Sequence, residues 1–277
     1  MSYPARFPAD SPSITVTNPS PSTWVIEMHN GADNRMTEKF ITHGLLPALD
    51  TVERHWRENW RAGVAKKQPE MCHGALMIVG NRKQDKFFSN GLDWDNLIKD
   101  PNFTVNFFPL VFNPLMVRLM TFPIPVIAVV NGHGFAGGMG MAMACDYRVM
   151  FDGSKRNSWL SMNEIHFGAQ IPTGLMAVLQ EKAPSPNVYR KIVLEGHRFT
   201  PKEALGLGLV DKTSAAADTE TLLAEAGALA STLAPLAKSG AWGVNKREMY
   251  RTAIRAIGRD TLPTSVRSED AAAKARL

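Results

Sequence analysis

Asn131-Gly132-His133-Gly134-Phe135-Ala136-Gly137-Gly138-Met139-Gly140 is the stretch on which the fold turns. The apolar run 125–130 before it reads as a buried strand, and residues 141–145 after it as a buried helix. Strand, glycine-rich turn and helix together aim backbone N–H groups at an anion. The first turn of a helix carries free N–H groups at the positive end of its dipole. Glycines let a ligand approach the backbone closely. The anion is either a fixed phosphate or an oxyanion that exists only during a reaction. Gly132-x-Gly134-x-x-Gly137 has dinucleotide-fingerprint spacing, but that fingerprint opens its βαβ unit, with an acid about 20 residues on ending the second strand. Here strands and helices precede it, and Asp152 beside Gly153 and Lys155 is the residue in that region, which argues against NAD. No Gly-Lys-Ser/Thr follows, which excludes a P-loop.

The 277 residues suffice for one large domain, or a domain with an appendage, and 44% hydrophobic against 21% charged residues argues against disorder. A formal charge of +5 with no dense Lys/Arg block gives no nucleic-acid track. Cys72 and Cys145 sit in apolar context and read as free thiols in a reducing compartment rather than as a disulfide. No apolar run is long enough to span a bilayer, so no membrane insertion is expected. Residues 1–6 lack the apolar core of a secretory signal. Ala275-Arg276-Leu277 has the small–basic–Leu form of a peroxisomal address, which an import receptor would read.

Residues 1–13 are Pro/Ser-rich and are expected to form a loose arm. Residues 14–17 and 23–28 read as a strand pair around Asn18-Pro19-Ser20-Pro21. Thr37 is a helix N-cap, followed by Phe40, Ile41, Leu45, Leu49, Val52 and Trp56 at helical spacing. Residues 74–80 and 86–89 are short strands, the second ending in the turn Asn90-Gly91-Leu92-Asp93. A helix in the later part of 101–122, a strand at 147–151, an extended turn at 159–164 and a helix opened by Thr173-Gly174 follow. Strand, strand, helix thus recurs, suggesting an α/β fold of stacked ββα units over residues 14–200. Thr200, Pro201 and Glu203 form a capping box, and residues 216–259 are Ala/Leu-rich, so 201–277 is expected to be a helical C-terminal subdomain packing on a neighbouring subunit.

The ordered motifs resemble the enoyl-CoA hydratase/isomerase superfamily, the crotonase fold. They are Phe88-Ser89-Asn90-Gly91-Leu92-Asp93, residues 127–132 through Gly137-Gly138, Ala142-x-x-Cys145-Asp146, Asn163-Glu164-Ile165 with Ile171-Pro172, Thr200-Pro201-x-Glu203-Ala204 and residues 206–211. The resemblance covers roughly residues 14–215. It implies a stacked ββα superhelix, a helical trimerisation region, an acyl-CoA thioester as substrate with coenzyme A its only cofactor-like part, and no metal. Assembly as a homotrimer or hexamer follows from it. So does an oxyanion site formed by the backbone N–H groups of Leu92 and Gly137, where one such donor is worth about 3–4 kcal/mol in a transition state. Ser89, Asn90, Gly91, Leu92, Asp93 and Gly137 are the implied substrate-binding positions.

The family's hydratases hold a water between two glutamates, one of them three residues after the oxyanion glycine. Here that position is Gly140, which has no side chain. The second position is Glu164. One carboxylate without a partner fits a proton shift from C2 to C4 of a 3-enoyl thioester, which needs one base with a pKa raised by an apolar pocket. The profile resembles the Δ3,Δ2-enoyl-CoA isomerases of peroxisomal fatty-acid β-oxidation. A hydratase or thioesterase of a secondary pathway and a non-catalytic acyl-CoA-binding protein are the alternatives. Arg35, Lys86 and Lys155 are candidates for the CoA phosphates or plain surface charges. His133 and His166 read as packing residues that could assist, Asp93 as a helix N-cap, and Met139, Met141 and Met143 as core and acyl-pocket lining.

Overall fold

The computed structural model describes residues 2–84, 86–100, 102–259 and 266–276. The strands, in chain order, are β1 (Ala5–Phe7), β2 (Ile14–Ser20), β3 (Thr23–Met28), β4 (Ala75–Val79), β5 (Phe87–Ser89), β6 (Val126–Val130), β7 (His133–Phe135), β8 (Tyr147–Phe151), β9 (Leu160–Ser161) and β10 (Lys212–Ser214). Seven form one sheet in the order β1-β2-β3-β4-β6-β8-β10, antiparallel from β1 to β3 and parallel beyond. The small sheet β5-β7-β9 is parallel. Each turn of the chain gives one strand to each sheet, as β4–β5, β6–β7 and β8–β9, before a helix returns it. That is the stacked ββα architecture of the crotonase fold.

The central strands read as unbroken apolar runs because both faces of the large sheet are covered. On β4, Leu76 and Ile78 face the main core, while Ala75, Met77 and Val79 face a second one. On β6 the split is Val126, Ala128 and Val130 against Ile127 and Val129. The main core is closed by the helices Leu46–Lys66, Asn113–Met120 and Thr173–Lys182. The helix Thr219–Leu233 covers the second with Leu222, Ala226, Ala230 and Leu233. Thr37 caps its helix through Phe40 N at 3.0 Å, and the Thr200–Glu203 capping box is formed in both directions. Cys72 and Cys145 are buried free thiols. Among the described residues, no helix is long and apolar enough to cross a membrane.

Several expectations are corrected. The start of the chain is not wholly loose, because β1 pairs with β2 as an edge strand. β2 runs on to Ser20 through Asn18, whose side chain donates to the carbonyls of Ser20 and Thr23 and so tightens the hairpin. The glycine stretch is not a plain turn: it holds β7, and its helix starts on Gly137 rather than after Gly140. Glycine disfavours a helix by about 1 kcal/mol each in isolation, so tertiary packing overrides propensity here. β10 lies inside the region expected to be helical and extends the large sheet beside β8. Of the tripeptide 275–277, Leu277 lies outside the described residues.

The C-terminal helices are tied to the sheet by a buried ion pair. Lys246 on the helix Ala241–Met249 stands 2.8 Å from Asp146 Oδ1, with the two side chains 6% and 7% exposed. Asp146 Oδ2 also accepts from Val126 N at 2.9 Å, at the entry of β6.

Candidate functional site

The turn after β5 is shaped by the chain entering the first helix. Met36 N donates to Gly91 O at 2.8 Å and Asp93 N donates to Met36 O at 3.2 Å. These two bonds bracket Leu92 in a parallel bridge and leave its own N–H without a partner among the described residues. Gly91 adopts φ +83°, a conformation that favours glycine.

The second N–H belongs to Gly137, the first residue of the buried helix Gly137–Ala144, where no intrahelical acceptor exists. It too has no partner among the described residues. The two turns are pressed together: a Cβ on Gly91 would stand 3.1 Å from Gly137 N, and one on Gly137 3.2 Å from Leu92 Cγ. Gly138 packs so closely that its Cβ would lie 2.3 Å from Ser89 O. Ala136, just before the helix, holds φ 50° and ψ −127°, a strained conformation worth roughly 1–3 kcal/mol. Its N–H donates to Ser161 O at 2.8 Å and its carbonyl accepts from Gly140 N at 3.1 Å, and these bonds fix the direction of Gly137 N–H.

Beside these turns opens a cavity of about 410 Å³. Leu92, Ala136 and Glu164 line it, and Trp94, Ile98, Phe108 and Phe167 give it apolar walls. Glu164 opens the short 3-10 helix Glu164–Phe167 that follows β9, which ends on Gly168 at φ +73°. The residue is 7% exposed and its Oε2 is buried with no hydrogen-bond partner among the described residues. Burial raises its pKa to about 7, against a smaller opposing pull from its own backbone N–H. Of the other acids, Asp95 also lines the cavity, but it is 79% exposed in its side chain and faces Arg35 at 3.5 Å.

The neighbourhood of Gly140 is apolar. A Cβ there would meet Leu175 Cδ1 at 2.3 Å, Cγ at 3.4 Å and Cδ2 at 3.5 Å. Leu175 lies in the first turn of the helix Thr173–Lys182, is 1% exposed and lines the cavity.

The other sequence candidates divide. Asn90 and Arg35 line the cavity. Arg35 pairs with Asp33 at 3.0 Å, and Asn90 Nδ2 donates to the same carboxylate oxygen at 3.0 Å. Ser89 is fully buried behind the wall, its hydroxyl donating to Asn34 O and accepting from Gly91 N, so it braces the turn and does not line the cavity. Asp93 occupies the N-cap position of the helix Trp94–Leu97 but binds Asn96 Nδ2 at 2.7 Å in place of a backbone N–H, and it is not in the cavity wall. His133 is stacked between Phe135 and Trp159, with ring centroids 5.1 and 4.8 Å away, and burial lowers its pKa. His166 Nε2 contacts Gly196 O at 3.2 Å. Neither histidine lines the cavity, nor do Lys86, Lys155, Met139, Met141 or Met143. The methionines are core residues rather than pocket lining.

Residues 69–255 match the family model described as enoyl-CoA hydratase/isomerase. The chain belongs to this family. Among curated relatives, a peroxisomal enoyl-CoA delta isomerase 2 of Arabidopsis thaliana is 32% identical over 54% of this chain and 62% of its own length. A carnitinyl-CoA dehydratase of Shigella flexneri is 32% identical over 61% of this chain and 60% of its own. The chain therefore spans less than two thirds of the length of these curated relatives. A solved enoyl-CoA hydratase from Mycobacterium ulcerans superposes with a TM-score of 0.72 at 25% identity, over 88% of this chain and 94% of that one.

Two residues of the candidate site escape sequence reasoning. Leu175 meets Gly140 only because two helices far apart in the chain pack together. A positive φ at Ala136 has no composition signal, since alanine is an ordinary residue elsewhere. The local hint was its place between β7 and a helix starting on glycine.

Proposed function

We propose that this chain is an enoyl-CoA isomerase that moves the double bond of a 3-enoyl-CoA to the 2-position with Glu164 as its one base. The thioester oxygen sits between the N–H groups of Leu92 and Gly137. Glu164 takes a proton from C2, and the electron pair spreads over the thioester oxygen and C4. The two fixed donors stabilise the charge that develops on oxygen, and such donors need no reorganisation during the reaction. The protonated Glu164 then delivers the proton to C4. A carboxyl with a pKa of about 7 serves in both directions, because it gives and takes a proton with similar ease near neutral pH.

The observation that carries this reading is the solitude of Glu164. The residue lines the cavity, its Oε2 is buried with no hydrogen-bond partner among the described residues, and the place of a second carboxylate is taken by the contact of Gly140 with Leu175. The delta isomerase relative supports the same choice. Coenzyme A enters as part of the substrate, with no separate cofactor, and Arg35 and Asn90 stand where the cavity wall carries polar groups. A peroxisomal location rests on the name of that relative, and a role in oxidation of unsaturated fatty acids and assembly as a trimer or hexamer rest on the family resemblance. Water addition is the second reading, favoured by the dehydratase relative. Glu164→Gln is expected to abolish conversion of 3-enoyl-CoA to 2-enoyl-CoA while acyl-CoA binding persists. Full activity in that variant overturns the reading, and robust hydration of crotonyl-CoA by the unaltered protein favours water addition.

A further inference from the structure

We propose that Leu175 is the residue that sets reaction choice at this site, by filling with its isobutyl group the volume from which a second carboxylate and its water would reach C3. The inference rests on the enolate chemistry proposed for Glu164.

Addition of water to a 2-enoyl thioester forms a C3–O bond and a C2–H bond. The hydroxyl goes to C3, and a proton of the same stoichiometric water ends on C2. The step needs a water held beside C3 by a polar group. In this cavity the residue facing Gly140 is a leucine, with Cδ1 2.3 Å from where a Cβ would stand. The backbone is held in place on both sides of this contact. A Cβ on Gly174, next to Leu175, would lie 2.3 Å from Asn113 Oδ1, so the helix start is seated hard against the helix Asn113–Met120. Met176 N donates to Pro172 O at 2.8 Å and closes the first turn. On the other side, Gly140 is fixed by its bond to Ala136 O and by Gly138 against Ser89. A bare glycine therefore does not leave a hole for water: a methyl group from across the helix pair occupies it. The Leu175 methyl offers a water at that point none of the two to four polar partners it needs.

Glycine 140 and Leu175 are tested as a coupled pair. Four proteins are compared: unaltered, Gly140→Glu, Leu175→Ala and the double variant. Each is assayed for crotonyl-CoA hydration, 3-enoyl-CoA isomerisation and thermal melting. Gly140→Glu alone is expected to melt at a lower temperature with no gain in hydration. The double variant is expected to recover melting temperature and to hydrate at least tenfold faster than the unaltered protein and than Leu175→Ala. A Gly140→Glu variant that melts like the parent and hydrates as well as the double overturns the proposal. So does a folded, acyl-CoA-binding double variant with parental hydration. If the double variant fails to fold, Gly140→Ala with and without Leu175→Ala decides: the expected result is a lowered melting temperature that Leu175→Ala restores in part, and an unchanged one in Gly140→Ala overturns the proposal. Loss of the isomerase reading is seen separately, as absent isomerisation in the unaltered protein, whatever the double variant hydrates.

Discussion

Two buried carboxylates stand in this chain under opposite conditions. Asp146 is met by Lys246 at 2.8 Å, by Val126 N at 2.9 Å and by Trp242 Nε1 at 3.4 Å. Glu164 has a buried oxygen with no hydrogen-bond partner among the described residues. Burial is common to both, and partners are what separate them. A buried acid that is paired and hydrogen-bonded ties elements together. A buried carboxyl left unpaired has its proton affinity raised toward neutrality, which suits it to move protons. Asp146 joins the C-terminal helices to the sheet, and Glu164 lines the cavity beside Leu92 and Ala136.

Removing each charge should separate the two roles. Glu164→Gln is expected to lower kcat/KM for isomerisation by about 10²–10⁴-fold, the usual worth of a positioned base, with little change in KM. Steady-state kinetics on 3-enoyl-CoA checks it. Lys246→Met should do the reverse. It leaves Asp146 buried with its charge unmatched and destabilises the fold by about 3–5 kcal/mol, read from denaturant midpoints. Asp146→Asn in the same background should return part of that loss. If Lys246→Met instead silences the enzyme without destabilising it, the contrast between the two acids fails.

The pH dependence sharpens it further. The folded pKa of Glu164 is raised to about 7, above its unfolded value. The native state thus holds a proton that the unfolded chain releases, and stability from this group is present at low pH and lost as pH rises through about 7. Glu164→Gln, which never ionises, should therefore gain on the unaltered protein by about 3 kcal/mol at pH 8 and lose that advantage near pH 4. Activity moves the other way: kcat/KM should climb about tenfold per pH unit below pH 7 and level above it, because the carboxylate is the base. The smallest effect is expected at His133. His133→Phe keeps the stack between Phe135 and Trp159 but loses the acceptor for Trp159 N at 3.2 Å. It should cost about 1 kcal/mol of stability and leave isomerisation unchanged.

Much of the fold was legible because its signals are local. Apolar runs at β4, β6 and β8, the Thr37 and Thr200 caps and the repeated strand–strand–helix order lie in the chain itself. Motif order located the turns of Leu92 and Gly137 and the acid Glu164, and the structure places Leu92 and Glu164 on one cavity with Gly137 packed against Leu92. What was missed depends on distant packing. Ser89 belongs to a binding motif yet braces the wall, because its hydroxyl is used by Asn34 and Gly91. The helix begins on Gly137 against its propensity, since every residue of Gly137–Ala144 is buried by neighbours. Gly140 reads as a blank in sequence and is a filled position in space, because Leu175 comes from another helix.

A single buried carboxyl that moves one proton from C2 to C4 is tested most directly by label transfer. The substrate is a 3-enoyl-CoA deuterated at C2, turned over in ordinary water, with the product's C4 read by mass spectrometry or NMR. Shuttling by Glu164 alone predicts that a measurable fraction of the deuterium arrives at C4. Complete loss of the label to solvent at full turnover would contradict it.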